Sequence, residues 1–162
     1  MKLIRELAEA ISQGEVDQIK QLVEQGASLK YLDEWRRTPL IWATIRSGLN
    51  NKEVVEVLLD LGADINAQNN NGMTALMEAI LHDNVEAAKI LIERGADIHL
   101  TNRHGSTAVT FSRNRKLFRF VEEASQESKK KSIAERIQRN KQNKLSLEKR
   151  EKRSLKRRTP VI

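Results

Sequence analysis

Residues 72–97 read GMTALMEAILHDNVEAAKILIERGAD, and the same pattern recurs on both sides of this stretch. Two columns of the pattern hold one residue type each: Thr38, Thr74 and Thr107, then Gly26, Gly62 and Gly95. The step from Gly62 to Gly95, like that from Thr74 to Thr107, is about 33 residues, and the step from Gly26 to Gly62 is about 36. A recurring period of this length predicts a stack of structural repeats.

Each repeat has the signals of two short helices. Thr74 and Thr107 supply a side-chain acceptor for the free N–H groups of a first helix, and Thr38 is followed by a proline suited to the first helical turn. A second helix is predicted over residues 84–94, because apolar residues return there at helical spacing. Gly95 is expected to end that helix in a left-handed cap.

The words RTPLIWAT at residues 37–44, MTALMEAI at 73–80, and GADIN and GADIH starting at 62 and 95 resemble ankyrin repeats. The resemblance implies an all-α fold, a solenoid of about four helix-turn-helix units with hairpin loops. It places an ankyrin-repeat domain at 1–124, with repeats 1 to 4 at about 3–32, 33–68, 69–101 and 102–124. Repeat 2 departs from the family pattern, since Arg36 stands where the turn glycine is usual.

The family resemblance also implies a function, that of a non-enzymatic interaction module or adaptor for an unidentified partner protein. Partners of ankyrin-like stacks bind the surface made by the hairpins and first helices, which we call the concave face. The residues expected on this face are Glu34, Trp35, Arg37, Ile45, Arg46, Asn70, Asn71, Met73, Leu81, His82, Arg103 and His104.

The two tryptophans receive different interpretations. Trp35 lies in a connection, and Trp and Arg are the residue types most often found as interface anchors, so Trp35 is the first candidate contact. The alternative is that Trp35 covers the first repeat or Tyr31. Trp42 falls inside a predicted helix and is expected to belong to the core rather than to a contact.

The C-terminal segment, residues 125–162, is strongly basic. It has 14 Lys and Arg against 4 Asp and Glu, whereas residues 1–124 have 15 against 18. A largely disordered or nascent-helical tail is predicted. The alternative function is therefore nucleic-acid or anionic-surface binding through the tail, with a nuclear-entry signal and a solubilising role as further readings. The candidate polyanion-binding residues are Lys129, Lys130, Lys131, Lys149, Arg150, Lys152, Arg153, Lys156, Arg157 and Arg158.

Catalysis and bound metals find no support in the 162 residues. There are no cysteines and three histidines, and no P-loop, GxSxG or HExxH motif occurs. Asp97, His99 and His104 fall on a turn that the repeat already explains, so neither a metal nor a cofactor is expected. Acidic residues interrupt the N-terminal apolar run, which predicts neither a secretory signal nor a membrane span. A cytoplasmic monomer is expected, with nuclear entry or delivery into a host cell as alternatives.

Overall fold

The computed structural model describes residues 2–45, 51–112 and 115–156, without the side chains of 115–117, 128, 140 and 143–156. Its α-helices are α1 Lys2–Gln13, α2 Val16–Glu24, α3 Pro39–Ile45, α4 Asn51–Asp60, α5 Ala75–Leu81, α6 Val85–Glu93 and α7 Arg115–Lys156. Extended pairing within these ranges is limited to one isolated bridge between Gln68 and Thr74. The all-α class predicted from the sequence is confirmed.

The chain forms two compact bodies, Met1–Glu123 and Ala124–Ile162. In the first body the helices make two layers. Helices α1, α3 and α5 pack side by side as an inner layer, and the 3-10 turn Ala108–Phe111 continues it. Helices α2, α4 and α6 form the outer layer, each packed on the first helix of its own pair. This is the helix-turn-helix solenoid that the sequence predicted.

The core lies between the two layers and is made of aliphatic side chains at helical spacing. Leu58 and Leu91 are fully buried on the outer helices, as Leu40 and Leu76 are on the inner ones. Each contributes roughly 1.5–3 kcal/mol by leaving water. Because these side chains pack across neighbouring helix pairs, the stability of one repeat depends on the next.

The predicted helix starts are confirmed in repeats 2 and 3. The Thr38 and Thr74 hydroxyls each accept a hydrogen bond at 3.3 Å from the main-chain N–H three residues on. In repeat 4 the predicted cap was wrong, since Thr107 makes no side-chain cap bond and only a 3-10 turn follows it. The Thr110 hydroxyl donates to the Thr107 carbonyl at 2.6 Å.

The predicted end of the second helix is also confirmed. Helix α6 begins after Asn84, whose side chain accepts from the Ala87 N–H at 3.2 Å. It ends at Glu93, Arg94 is the C-cap, and Gly95 follows with φ at 87°, a conformation that costs glycine least. The Ala96 N–H then donates to the Leu91 carbonyl at 2.8 Å, which satisfies a carbonyl at the helix end.

Polar bonds between neighbouring repeats fix their register. The Asn84 side chain donates to Asn51 Oδ1 at 2.9 Å and links the start of α6 to the start of α4. Further along, the Asp97 N–H donates to Asn66 Oδ1 at 2.9 Å. These pairs are 33 and 31 residues apart in the chain, so the sequence period reappears as a spatial contact.

The basic segment is helical where the structure describes it. Helix α7 runs without interruption over Arg115–Lys156. The expectation of a largely disordered or nascent-helical tail stays a prediction. The residues of α7 include many Lys, Arg, Glu and Gln and no Gly or Pro, a composition of high helix propensity. Across the described ranges, no helix combines the length and apolarity that crossing a bilayer requires.

Candidate functional site

Three similar turns precede the first helices of repeats 2, 3 and 4, and each closes on one side chain. Asp33 Oδ1 accepts from the N–H groups of residues 35 and 37 at 3.0 and 2.7 Å. Asn69 Oδ1 does the same for residues 71 and 73 at 2.9 and 3.0 Å, and Asn102 Oδ1 for residues 104 and 106 at 2.9 Å. Each of these residues lies five positions before the repeated threonine, which is Thr38, Thr74 or Thr107. That spacing is a sequence signal for the turn.

Successive turns are joined through their main chains. The Asn70 N–H donates to the Trp35 carbonyl at 2.9 Å, and the Arg103 N–H donates to the Asn71 carbonyl at 3.0 Å. The Asn70 side chain adds a bond to the Glu34 carbonyl at 3.2 Å. The turns therefore form a row in which side chains at the tips are presented from a fixed backbone.

Trp35 and Arg37 form the most distinctive part of this row. Among the described residues of the first body, Trp35 is the most exposed large apolar residue, at 57%. The Arg37 guanidinium carbon lies 4.5 Å from the centroid of the Trp35 ring, within range of a cation–π contact. Arg37 Nε donates to Asp33 Oδ2 at 2.7 Å, so the guanidinium is held between an aromatic ring and a carboxylate.

Asp33 holds this arrangement together. Its Oδ2 also accepts from the Trp42 indole N–H at 3.0 Å. Burial by itself would raise the pKa of Asp33. The hydrogen bonds from the Arg37 main chain, the Trp42 indole and the Arg37 side chain, together with the Arg37 charge, outweigh it and hold the pKa below its ordinary 3.8. The carboxylate is therefore charged at neutral pH.

A groove of about 540 Å³ opens between α1 and α3 beside this cluster. It has polar and apolar walls, and its lining residues are Ala8, Glu9, Ile11, Ser12, Asp33, Arg37, Trp42 and Ile45. The expectation that Trp42 belongs to the core is wrong in part. Its ring packs near Tyr31, with centroids 6.0 Å apart, but its edge reaches the groove and bonds to Asp33.

In repeat 3 the two positions equivalent to Asp33 and Trp42 exchange their roles as hydrogen-bond acceptor and donor. Glu78 corresponds to Trp42, and the Asn69 side chain donates to Glu78 Oε1 at 2.9 Å. His82 Nε2 lies 3.6 Å from Glu78 Oε2. Burial raises the pKa of Glu78 above its ordinary 4.5, although the His82 charge, the Asn69 bond and the Arg37 charge oppose the shift.

The sequence-predicted contact residues that the structure describes are exposed, half-buried or, in the case of Met73, buried. The exposed ones are Glu34, Trp35, Asn71, Leu81, His82, Arg103 and His104. The half-buried ones are Arg37, Ile45 and Asn70. Arg46 lies outside the described residues. Sequence reasoning did not select Asp33, Trp42 and Glu78 as part of this surface, because their role depends on which side chain lies opposite each of them.

The expectation that Met73 is exposed was wrong. Met73 is only 5% exposed, and the Asn102 side chain of the following turn donates to its sulfur at 3.6 Å. The stacking of one turn on the next covers this position. Met73 is therefore a packing residue between turns.

The candidate polyanion-binding residues divide according to what the structure describes. The side chains of Lys129, Lys130 and Lys131 are exposed on α7. At positions 149, 150, 152, 153 and 156 the backbone is helical, and residues 157 and 158 lie outside the described part of the chain. Elsewhere in the described ranges, no group of three or more His, Cys, Asp or Glu side chains is placed to hold a metal ion.

Comparison with known proteins gives one family. The family model for ankyrin repeats, in three copies, matches residues 7–102. A protein named as an ankyrin repeat protein of Acanthamoeba polyphaga mimivirus is 40% identical over 68 residues, which are 41% of this chain and 42% of that protein. A protein named as an E3 ubiquitin-protein ligase of Oryza sativa subsp. japonica is 44% identical over 57 residues, 35% of this chain and 11% of that protein. The chain thus spans less than half the length of these relatives.

Ankyrin repeats are generally protein–protein interaction modules and typically lack enzymatic activity. The matched residues cover more than half of the chain and include both helix pairs that begin at a capping threonine. With the paired helices, the stacked turns and this match in agreement, the chain belongs to the ankyrin-repeat family.

Proposed function

We propose that this chain is a non-enzymatic adaptor that binds a partner protein through its concave face. The contact residues in this proposal are those at the turn tips and on the inner helices, with Met73 excluded because it is buried. A monomeric state and a cytoplasmic location stay predictions.

One observation carries the proposal: Trp35 is 57% exposed on a turn whose backbone is fixed from both sides. Asp33 accepts the Trp35 N–H, and the Trp35 carbonyl accepts from Asn70 of the next turn. Ordering an aromatic side chain in advance lowers the entropy lost when a partner binds, and tryptophan is the residue type most enriched at binding hot spots.

The test is affinity capture from a nuclease-treated native lysate, with the full-length chain as bait. Trp35→Ala combined with Arg103→Ala should abolish capture of a partner that the wild-type chain retains, because a hot-spot loss of about 2 kcal/mol weakens binding roughly 30-fold. Both side chains are exposed, so the fold should survive.

Ile137→Ala is the matched control, since Ile137 is also a large exposed apolar residue, at 51%, but lies on α7. Equal capture by the double variant and the wild-type chain would count against the concave face. Loss of capture in the Ile137 variant alone would move the contact to the basic segment.

A second candidate function is supported by α7. The three adjacent lysines 129–131 are exposed on a helix within a segment that has 14 basic against 4 acidic residues. Such a helix can neutralise phosphates on a nucleic acid, and each phosphate contact adds to the salt dependence of binding. Under this alternative the repeats only position the basic segment.

The alternative is tested by the affinity of the full-length chain for a DNA duplex at increasing salt. Changing Lys129, Lys130 and Lys131 to Gln should reduce the slope of log affinity against log salt by up to about 2.7, since each contact contributes about 0.9. An affinity that does not change with salt, or a slope equal to that of the wild-type chain, would rule out these lysines as phosphate contacts.

A further inference from the structure

The Arg37 guanidinium has donors that the protein leaves unused. An arginine side chain carries five N–H donors, and here Nε alone is bonded, to Asp33 Oδ2 at 2.7 Å. Across the described part of the chain, no hydrogen bond involves the two terminal nitrogens of Arg37. The Arg37 side chain retains 29% exposure and lines the groove beside α1, so these nitrogens are within reach of a bound molecule.

Among the other polar residues that line the groove, which are Glu9, Ser12 and Asp33, Asp33 is already saturated. Its two oxygens accept from the main chain of residues 35 and 37, from Arg37 Nε and from the Trp42 indole. Four bonds are about the limit for a carboxylate. Asp33 therefore orients Arg37 and has no capacity left for a ligand. Arg37 is the only cationic side chain among the described lining residues, so its terminal nitrogens are the groups available to an anion.

The position of Arg37 is fixed in advance. Asp33 holds one edge of the guanidinium, and the Trp35 ring lies against it at 4.5 Å. A planar guanidinium constrained in this way matches the two oxygens of a carboxylate and can bind them through parallel hydrogen bonds. Because the Arg37 charge is only half-buried, a carboxylate can reach it without the cost of full burial.

We propose that Arg37 recognises an Asp or Glu side chain of the partner. In the complex this acidic side chain lies beside Trp35, on the side of the Arg37 guanidinium opposite Asp33. The inference rests on the proposed function, since it names the chemistry that the concave face selects. Apolar groove residues such as Ile45 accommodate the neighbouring part of the same partner segment. The partner is thus a protein segment with one required acidic residue.

The probe is a phage-displayed library of random dodecapeptides, selected on the full-length chain at about 0.3 M salt, where exposed charges are strongly screened. Parallel selections use Trp35→Ala, Arg37→Gln, Arg37→Lys and Arg119→Gln. The basic segment is present in every variant, so its attraction for acidic peptides is the same throughout. Arg119 is the matched control because it is an exposed arginine that lies on α7, outside the concave face.

Peptides that require Trp35 should carry Asp or Glu at one fixed position, and this preference should vanish with Arg37→Gln and persist with Arg119→Gln. For an enriched peptide and its Gln or Asn twin, the wild-type chain should prefer the acid by about 10-fold to 100-fold, as expected for a charged hydrogen-bonded pair. Arg37→Gln should show no preference beyond about 2-fold, and Arg37→Lys an intermediate one. Thermal unfolding of each variant confirms that the fold is intact.

The outcomes separate the two proposals. Three results would overturn the inference and leave the proposed function standing. The Trp35-dependent peptides could lack a fixed acidic residue, could carry a fixed Lys or Arg, or could keep their preference for an acid in the Arg37→Gln variant. If no peptide binds the wild-type chain in a Trp35-dependent way, both proposals fall.

Discussion

Gly72 and Gly105 occupy the same position in successive turns, and φ is 73° at both. Their surroundings differ. A β-carbon at Gly72 would lie 2.9 Å from the main-chain nitrogen of Arg103 and 3.0 Å from Cα of Asn102, whereas one at Gly105 meets no described atom within 4 Å. Alanine at Gly105 therefore tests the left-handed backbone alone, and alanine at Gly72 tests the backbone and the approach of the next turn together.

The expected losses follow from these distances. A left-handed conformation costs alanine about 1–2 kcal/mol, and this applies to both sites. At Gly72 the main chain of Arg103 must also retreat by about 0.5 Å to reach an ordinary contact. That movement weakens its bond to the Asn71 carbonyl, now 3.0 Å long, at a cost of about 1–2 kcal/mol. We expect about 2–4 kcal/mol for Gly72→Ala and about 1–2 for Gly105→Ala.

The extra cost at Gly72 is bounded by what repeat 2 tolerates. Arg36 occupies the equivalent position there with φ at 58°, and the bond from Asn70 to the Trp35 carbonyl is intact at 2.9 Å. A β-carbon is thus compatible with stacked turns when the turns are spaced for it. The extra loss of stability in Gly72→Ala is therefore the cost of moving the two turns slightly apart, which is smaller than the cost of separating them completely.

Urea unfolding followed by far-ultraviolet circular dichroism measures both variants. The free energy of unfolding should fall further for Gly72→Ala, with the dependence on urea concentration unchanged, which shows that the unfolding transition itself is preserved. Equal losses at the two positions, or a larger loss at Gly105, would refute the idea that close approach of the turns constrains Gly72.

Two further predictions concern single side chains. Arg36→Gly should raise the free energy of unfolding by about 0.5–1 kcal/mol, because relief of the left-handed strain exceeds the added flexibility of the unfolded chain; a loss in urea unfolding would contradict this. Because burial raises the pKa of Glu78 above 4.5, the contribution of Glu78 to stability is lost as pH rises above 4.5 through that raised pKa. The stability of Glu78→Gln relative to the wild-type protein, measured by thermal unfolding, should increase from pH 4.5 upward. Equal pH dependence of the unfolding temperature in the two proteins would contradict this.

The helix starts and ends could be predicted because their causes are local. A threonine cap acts three residues ahead, and a glycine cap acts within its own turn, so the residues at Thr74 and Gly95 are sufficient to place them. Thr107 is the exception. No side-chain cap forms there, and the Thr110 hydroxyl bonds to the Thr107 carbonyl, a contact that the repeated threonine alone does not predict.

The candidate site was less predictable because its contacts depend on pairs of positions. Asp33 accepts from Trp42, while the equivalent Asn69 donates to Glu78, so the same geometry serves opposite polarities. Periodicity aligns these positions but does not say which residues meet. Met73 shows the same limit, since its burial comes from the following turn and not from its own repeat.

The row of turns is connected by peptide groups, and this has a consequence for how such a protein changes over generations. The bonds from Asn70 to the Trp35 carbonyl and from Arg103 to the Asn71 carbonyl use main-chain atoms that every residue except proline possesses. Substitutions at positions 35, 71 and 104 can therefore alter what is recognised without altering the scaffold. A lineage can exchange one partner for another by a few tip mutations, and a designer can randomise the same positions with little loss of folded variants.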